Sequence, residues 1–443
     1  MGDIATDGAG NVYFTGAFTG TVDFDPDVPM VNLTGTGFGD IFVCKLDPDG
    51  QLLWARSMGG DDFSVGMGIA VDEEGNVYTT GSFSGTVDFD PGAGIQNRAA
   101  DGGGDFETDS YVLKLDTSGA FVWVKTFGGD DQDVGRSVAV DSTGSVYSTG
   151  NFLGDVDFDP GAGTTTLTSQ GITDIYFQKL SAAGDFLWAR SIGGAGSDDS
   201  YEIAVDSDDN LYGTGFFRAT MSIAAKGTGT SLVSAGGRDV YILKWNSVGD
   251  LLWARNVGGS DDDFAGGLAL DGADSVYAAG HFQGTADFDP SGNTRFATSA
   301  GLRDIFVLKL NALGEYNWVG ILGGTGNDEA TRVAVDAAGG VFATGDFESM
   351  VDFDPGAGST VLSSVGQSDL FVLKLLPDAT APTVTSIVPD SSGPTNDSTV
   401  NFTVTFSENA VNFTGVSDLI VGHEGTSNSG ASITGGPIEF AVT

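Results

Sequence analysis

Apolar and aromatic residues in this chain fall into short runs, and four kinds of run recur in a fixed order. One is the brief Ile-Ala-Val-Asp segment at 69–72 (strand a). The second is Asn-Val-Tyr-Thr-Thr-Gly-Ser-Phe at 76–83 (strand b). The third is Asp-Ile-Phe-Val-Cys-Lys-Leu at 40–46 (strand c), and the fourth is Leu-Leu-Trp-Ala-Arg at 52–56 (strand d). These runs are rich in β-branched and aromatic residues and are bounded by turn formers: Glu-Glu-Gly-Asn at 73–76, Asp-Pro-Asp-Gly at 47–50 and Gly-Gly-Asp-Asp at 59–62. No stretch shows the 3.6-residue spacing of an amphipathic helix. The pattern predicts an all-β chain.

The runs belong to an internal repeat. Trp54, Trp123, Trp188, Trp253 and Trp318 share one context and are spaced by 69, 65, 65 and 65 residues. Strand a at 69–72 matches 138–141, 203–206, 268–271 and 333–336, with Ile-Ala-Thr-Asp at 4–7 as the first copy. Strand c matches segments beginning at Asp109, Asp174, Asp239, Asp304 and Asp369. The four additional residues of the second copy lie between Asp88 and Asp109, where a loop can absorb them. Four strands per unit is the pattern of a β-propeller blade, whose faces are buried only by its neighbours. The expected architecture is a β-propeller of about six four-stranded blades, with seven possible, over 1–376. The copies lie near 1–58, 59–127, 128–192, 193–257, 258–322 and 323–376. The tryptophan of strand d is expected to pack between blades, where a buried indole is worth roughly 4–6 kcal/mol.

The unit resembles the bacterial SBBP β-propeller repeat family through its Ile-Ala-Val-Asp, Gly-Asn-Val-Tyr-x-Thr-Gly, Asp-x-Phe-Val-x-Lys-Leu and Leu-Trp-Ala-Arg-x-x-Gly-Gly segments. The resemblance implies a propeller within a large secreted or surface protein, and it implies no particular reaction. The unit departs from the usual repeat in a long b–c segment carrying Asp-Phe-Asp-Pro-Gly. Past residue 376 the composition changes. Pro377, Pro382, Pro389 and Pro394 mark a linker, and 400–406 alternates with period two. The segments at 381–387 and 403–408 resemble bacterial immunoglobulin-like modules, so 377–443 is expected to form a partial β-sandwich. Met1 aligns with Gly66 and Gly135 in mid-repeat, and no strand d follows Leu375. The chain therefore reads as a piece of a longer protein, with an extracellular or cell-surface location expected.

Charge narrows the partners. Sixty-one acidic residues against 18 basic ones give a formal net charge of −43, which argues against nucleic acid and anionic membranes. No apolar run approaches the length of a membrane span. Cys44 is single, so no internal disulfide can form.

Divalent cations are one class of partner that suits such a chain, and solubility is the alternative reading of its acids. Asp-Phe-Asp-Pro recurs in the b–c segments and places Asp23 and Asp25, Asp88 and Asp90, Asp157 and Asp159, Asp287 and Asp289, and Asp352 and Asp354 at i and i+2. On a strand such pairs point the same way, and Ca²⁺ would relieve their repulsion. The alternative is that each Asp caps its own turn. The fourth copy has Ser222 and Ala224 at these positions, between the retained apolar Met221 and Ile223. The d–a loops add Asp61 and Asp62, Asp130, Asp131 and Asp133, Asp198 and Asp199, Asp261 to Asp263, and Asp328 with Glu329, so one face is expected to be ringed by carboxylates. His281 sits at a position filled elsewhere by Ala17, Ser82, Asn151, Phe216 and Asp346. Neither His281 nor His423 has a repeated partner, which argues against a triad or a zinc site.

The leading reading is a non-enzymatic structural, adhesion or binding module, with Ca²⁺ as its candidate ion. A carbohydrate- or protein-binding propeller is the second reading. A glycosidase- or lyase-like enzyme is the third, and it needs one asymmetric acidic pocket, which the repeated pairs do not provide.

Overall fold

The computed structural model describes residues 2–25, 30–101, 107–223, 229–356 and 358–375, and the strands at 384–389, 400–406, 431–434 and 439–442. All of its regular elements are β-strands. The residues group into two compact units, Met1–Leu375 and Leu376–Thr443.

In the first unit, strand a occupies Asp3–Thr6, Ser64–Val71, Val134–Val140, Asp199–Val205, Phe264–Leu270 and Asp328–Val335. Strand b occupies Val12–Phe18, Val77–Phe83, Val146–Phe152, Leu211–Ile223, Val276–Asp287 and Val341–Phe347. Strand c occupies Asp40–Leu46, Asp109–Leu115, Asp174–Leu180, Thr230–Trp245, Phe296–Leu310 and Asp369–Leu375. Strand d follows at Leu52–Gly60, Phe121–Phe127, Phe186–Gly193, Leu251–Gly259 and Tyr316–Gly324, and the sixth sheet has a, b and c among the described residues. Each sheet is an antiparallel a–b–c–d ladder. Strands a of successive sheets lie against one another, so they form the inner edge of a β-propeller-like array.

The apolar core lies between blades. Five clusters of buried side chains each span one junction. Period-two alternation explains this. Tyr13, Ile41 and Val43 on one face of blade 1 meet Ile69, Phe83 and Tyr111 on the opposing face of blade 2. The tryptophans lock these junctions, as expected. Trp188 Nε1 donates to the Ser247 carbonyl of the next blade at 3.1 Å, and Trp253 Nε1 donates to Ala312 at 3.1 Å. Each ring also covers the turn glycine of the next blade. Gly249 and Gly314 have φ of +80° and +74°, and a Cβ on either would stand 2.9 Å from the indole. Only glycine satisfies both the left-handed turn and the approach of the ring.

The b–c segment is more than a loop. Its two arms pair as a hairpin, for example Thr86–Asp88 with Asn97–Ala99, and the hairpin docks on the end of strand d in the preceding blade through Gly59↔Asp88 and Gly60↔Val87. The apolar residues of Val-Asp-Phe-Asp anchor it. Val87, Phe89, Val156 and Phe158 are fully or almost fully buried, as are Met221 and Ile223 of the fourth copy. Ala224 lies outside the described residues.

The second unit shows one four-stranded antiparallel sheet in the order Val384–Pro389, Val400–Phe406, Glu439–Val442, Ala431–Thr434. The rest of the expected sandwich at 377–443 lies outside the described residues.

Candidate functional site

The repeated aspartates build turns. Asp88 Oδ1 accepts the backbone N–H of Asp90 at 3.1 Å and of Gln96 at 2.8 Å, and Asp90 Oδ1 accepts from Gly92 at 2.8 Å. Asp157 and Asp159, Asp287 and Asp289, and Asp352 and Asp354 repeat this geometry, and Asp23 accepts from Asp25 and Val31. The second Asp of each pair lies beyond the strand, as with Thr86–Asp88, so the two carboxylates do not project side by side from one strand as the i, i+2 spacing suggested. Among the described residues no group of three or more His, Cys, Asp or Glu gathers to hold a metal. The described bonds of these aspartates are to backbone groups of their own turns.

The acids of the d–a loops divide into exposed and buried members: Asp61, Asp62, Asp130, Asp131 and Asp261 are exposed. Asp133, Asp198, Asp263 and Asp328 end their d–a loops and are buried to 1% exposure or less. Each accepts two backbone N–H groups: Asp198 takes Gly194 at 2.8 Å and Arg218 at 2.9 Å, which ties strand d of one blade to strand b of the next. Beside each lies a second buried acid, the Asp that opens the Asp-x-Phe-Val-like core of strand c in the preceding blade: Asp109, Asp174, Asp239 or Asp304. In all four of these, Oδ1 is buried and has no hydrogen-bond donor. A Cβ on Gly258 would stand 2.9 Å from Asp239 Oδ1 and 2.8 Å from Asp263 Oδ2, so both carboxylates crowd one glycine. Burial, reinforced by the neighbouring acid, pushes Asp133 and Asp263 up to about 7, and burial pushes Asp174 and Asp239 to about 6. At the junction of blades 1 and 2 the strand-c acid is Asp40, and Ser64 takes the place of the d–a acid.

The asymmetric part of the molecule is its axis. Cross-strand pairing puts Asp3, Gly68, Ser137, Glu202, Gly267 and Arg332 at one position of strand a in six blades. Their partners on strand b are Thr15, Thr80, Thr149, Thr214, Ala279 and Thr344, which are themselves one position of the repeat. Arg332 Nε lies 3.7 Å from Asp3 Oδ1 and 3.6 Å from Glu202 Oε2, so one guanidinium bridges carboxylates from two other blades. Ser137 Oγ donates to Glu202 Oε1 at 2.9 Å. Burial, and then Asp3, push Glu202 up to about 7, although Arg332 opposes the shift.

A β-bulge in strand a aims one further residue per blade at the mouth of the axis: Met67, Arg136, Tyr201, Gly266 and Thr331. Next to them, the variable position of strand b supplies Ser82, Asn151, Phe216, His281 and Asp346. Together they make a continuous wall. Tyr201, Phe216, Phe264 and His281 stack in sequence with ring centroids 6.0, 4.9 and 4.8 Å apart. Arg136 lies over Tyr201, and Arg238 lies over both Phe216 and Phe264. Asp199 sits between these two guanidiniums, which oppose the upward shift that burial imposes on it. Burial holds His281 down at about 4 even though Glu329 is 3.8 Å away. Beside the wall, a cavity of about 750 Å³ opens between blades 1, 2 and 3. Sequence reading had the variable position of Ser82, Asn151, Phe216, His281 and Asp346 and the d–a acids Asp199 and Glu329, but not the stacked aromatic and guanidinium wall they help to form. The available signal was the blade-to-blade variation at positions whose neighbours repeat.

Fold and repeat together define a repeat-containing, β-propeller-like protein. No family model matches the chain. It is 22% identical over 275 residues to the uncharacterized WD repeat-containing protein L264 of Acanthamoeba polyphaga mimivirus, covering 53% of this chain and 19% of that protein. It is 27% identical over 346 residues to the regulatory protein FlaEY of Caulobacter vibrioides, covering 74% of this chain and 34% of that protein. The chain thus spans about a fifth and a third of the length of these curated relatives. Among solved structures it is similar to a protein of unknown function from Bacteroides caccae, with a TM-score of 0.31 at 9% identity over 72% of this chain and 92% of that one. It is also similar to Sqt1 from Chaetomium thermophilum, with a TM-score of 0.28 at 11% identity over 77% and 78%.

Proposed function

We propose that the chain is a non-enzymatic binding module of a larger extracellular protein, and that it contacts its ligand at the axial mouth. One observation carries the reading. The repeated positions are consumed by folding, in strand cores, turn aspartates and tryptophan clamps, whereas most residues facing the axis change from blade to blade, as Asp3, Ser137, Glu202 and Arg332 do. A repeat array that needed only to fold would have no reason to hold Arg136, Tyr201, Arg238, Phe264 and His281 together at one end. Two of the ten arginines stack on aromatic rings there, on a chain whose overall charge is strongly negative.

The role proposed for the axial acids is structural. Arg332 holds Asp3 and Glu202 together and so supports a binding rather than a hydrolytic role for that pair. An array of immobilised soluble glycans and peptides, probed with the whole chain, tests the reading. Ligands captured by the wild type should be lost by the double variant Arg136→Ala, Tyr201→Ala and kept by Asp157→Asn on the outer hairpin. Capture that follows Asp157 instead, or that ignores the axial double variant, would overturn it.

A further inference from the structure

We infer that the cavity between blades 1, 2 and 3 is a saccharide-binding subsite, an inference that rests on the axial mouth being the binding surface. Its volume of about 750 Å³ lies within the range of small-molecule sites. Its neutral polar wall is formed by Ser82, Gln132 and Asn151, while the Ser84 and Thr108 hydroxyls beside them are engaged with the backbone of Phe63 and Asp133. Hydroxyls and carboxamides both donate and accept, which suits a ligand whose rim is a row of hydroxyl groups. Asn151 is held in place because its Oδ1 accepts from Arg136 Nε at 3.3 Å.

Two phenyl rings line the same cavity, Phe38 at 81% exposure and Phe63 at 40%. Large apolar side chains this open need a partner surface, and the axial C–H face of a pyranose supplies one while its equatorial hydroxyls reach the polar wall. The cavity holds one acid, Asp62, and one base, Arg136, so it carries no net charge. A phosphate or nucleotide would need several cations, and a divalent metal would need several carboxylates. Neither set is present on this wall. Ser84, Thr108 and Val134 belong to the fold's own framework, whereas Phe38, Gln132 and the variable strand-b residues do not. Ser82 and Asn151 occupy the position that is Ala17, Phe216, His281 and Asp346 in other blades.

Saturation-transfer NMR on the whole chain tests the assignment, with maltotriose, cellotriose, triacetylchitotriose and trigalacturonate as probes and the tripeptide Ala-Phe-Ala beside them. At least one neutral trisaccharide should give saturable transfer. Phe63→Ala and the exposed-site variant Gln132→Ala should each weaken it tenfold or more, while Asp157→Asn leaves it unchanged. Because Gln132 is exposed, its replacement tests the site without touching the core. The inference fails if no trisaccharide binds at about 10 mM, well above a millimolar Kd, or if both variants bind as the wild type does. Tripeptide binding that the same variants abolish would overturn the saccharide assignment and leave the axial binding reading standing.

Discussion

Raising the pH from 5 to 8.5 should destabilise this protein, the reverse of ordinary acid denaturation. The perturbed groups are the buried aspartate pairs at four blade junctions. A carboxyl that titrates near 7, as Asp263 does, in place of 3.8 costs about 4 kcal/mol to ionise where it sits. Its folded-state pKa is raised, so the folded state binds the extra proton between pH 4 and 7. The stability this confers is complete below the unfolded value and is lost as pH climbs through about 7. Asp263 and Asp239 crowd one glycine, so the charge of either raises the cost of ionising the other. Guanidinium denaturation followed by tryptophan fluorescence at pH 5, 7 and 8.5 measures the effect. The midpoint should fall with pH. General repulsion in a chain of charge −43 would also lower it, but 0.5 M salt screens that contribution and leaves a buried pair almost untouched. Asp239→Asn puts an NH2 donor in place of the unpaired Oδ1, beside the Asp263 carboxylate, while its carbonyl keeps the Ala235 N–H; it should raise the stability at pH 8.5 by about 2 kcal/mol with little change at pH 5. A midpoint that is flat or rises between pH 5 and 8.5 in high salt, or an Asp239→Asn variant that loses stability equally at both pH values, would refute the reasoning.

Replacing Arg332 with Met leaves Asp3 and Glu202 uncompensated; the loss should be about 2 kcal/mol at pH 8.5 and smaller at pH 5, where Glu202 is protonated, as denaturation midpoints at the two pH values will show. Gly314→Ala meets the Trp253 ring at 2.9 Å from a left-handed turn, and should cost about 2 kcal/mol and shift the fluorescence of that tryptophan. Asp157→Asn weakens two turn hydrogen bonds and should lower the unfolding free energy by about 1 kcal/mol, by the same amount in EGTA and in millimolar CaCl₂. A calcium-dependent difference would instead restore the metal reading of these loops.

The strands and their order could be read directly because each depends on local chemistry: β-branched runs, period two, and Gly or Asp at the turns. The tryptophan clamp was legible for a similar reason, since a residue that recurs every 65 positions in one context must do the same work in each blade. The aspartates of Asp-Phe-Asp-Pro were harder. Their repetition made them conspicuous as a site, yet their bonds are to backbone groups two and eight residues away, within the turn itself. The Asp239–Asp263 pair was invisible for a different reason. Its members are 24 residues apart and meet only when strand c of one blade stacks beside strand a of the next, where Asp263 N–H donates to the Arg238 carbonyl at 2.7 Å.

Repetition and function compete for the same positions, and the geometry of stacked blades decides where each wins. A junction residue faces a near-identical neighbour, so whatever solves one junction solves them all, and its sequence is copied. At the axis, six copies of one position face each other. Identical large residues would collide there, and identical charges would repel across a few ångströms. Asp3, Gly68, Ser137, Glu202, Gly267 and Arg332 solve that crowding with two glycines, one serine and one base between two acids. The bulge that follows from strand pairing then projects a second set, from Met67 to Thr331, outward to the mouth, where crowding relaxes and side chains are free to differ. Asymmetry is therefore forced at the centre by packing and is available at the mouth for recognition, which is why the axial mouth, and not the conspicuous repeated acids, is the place to look for a ligand.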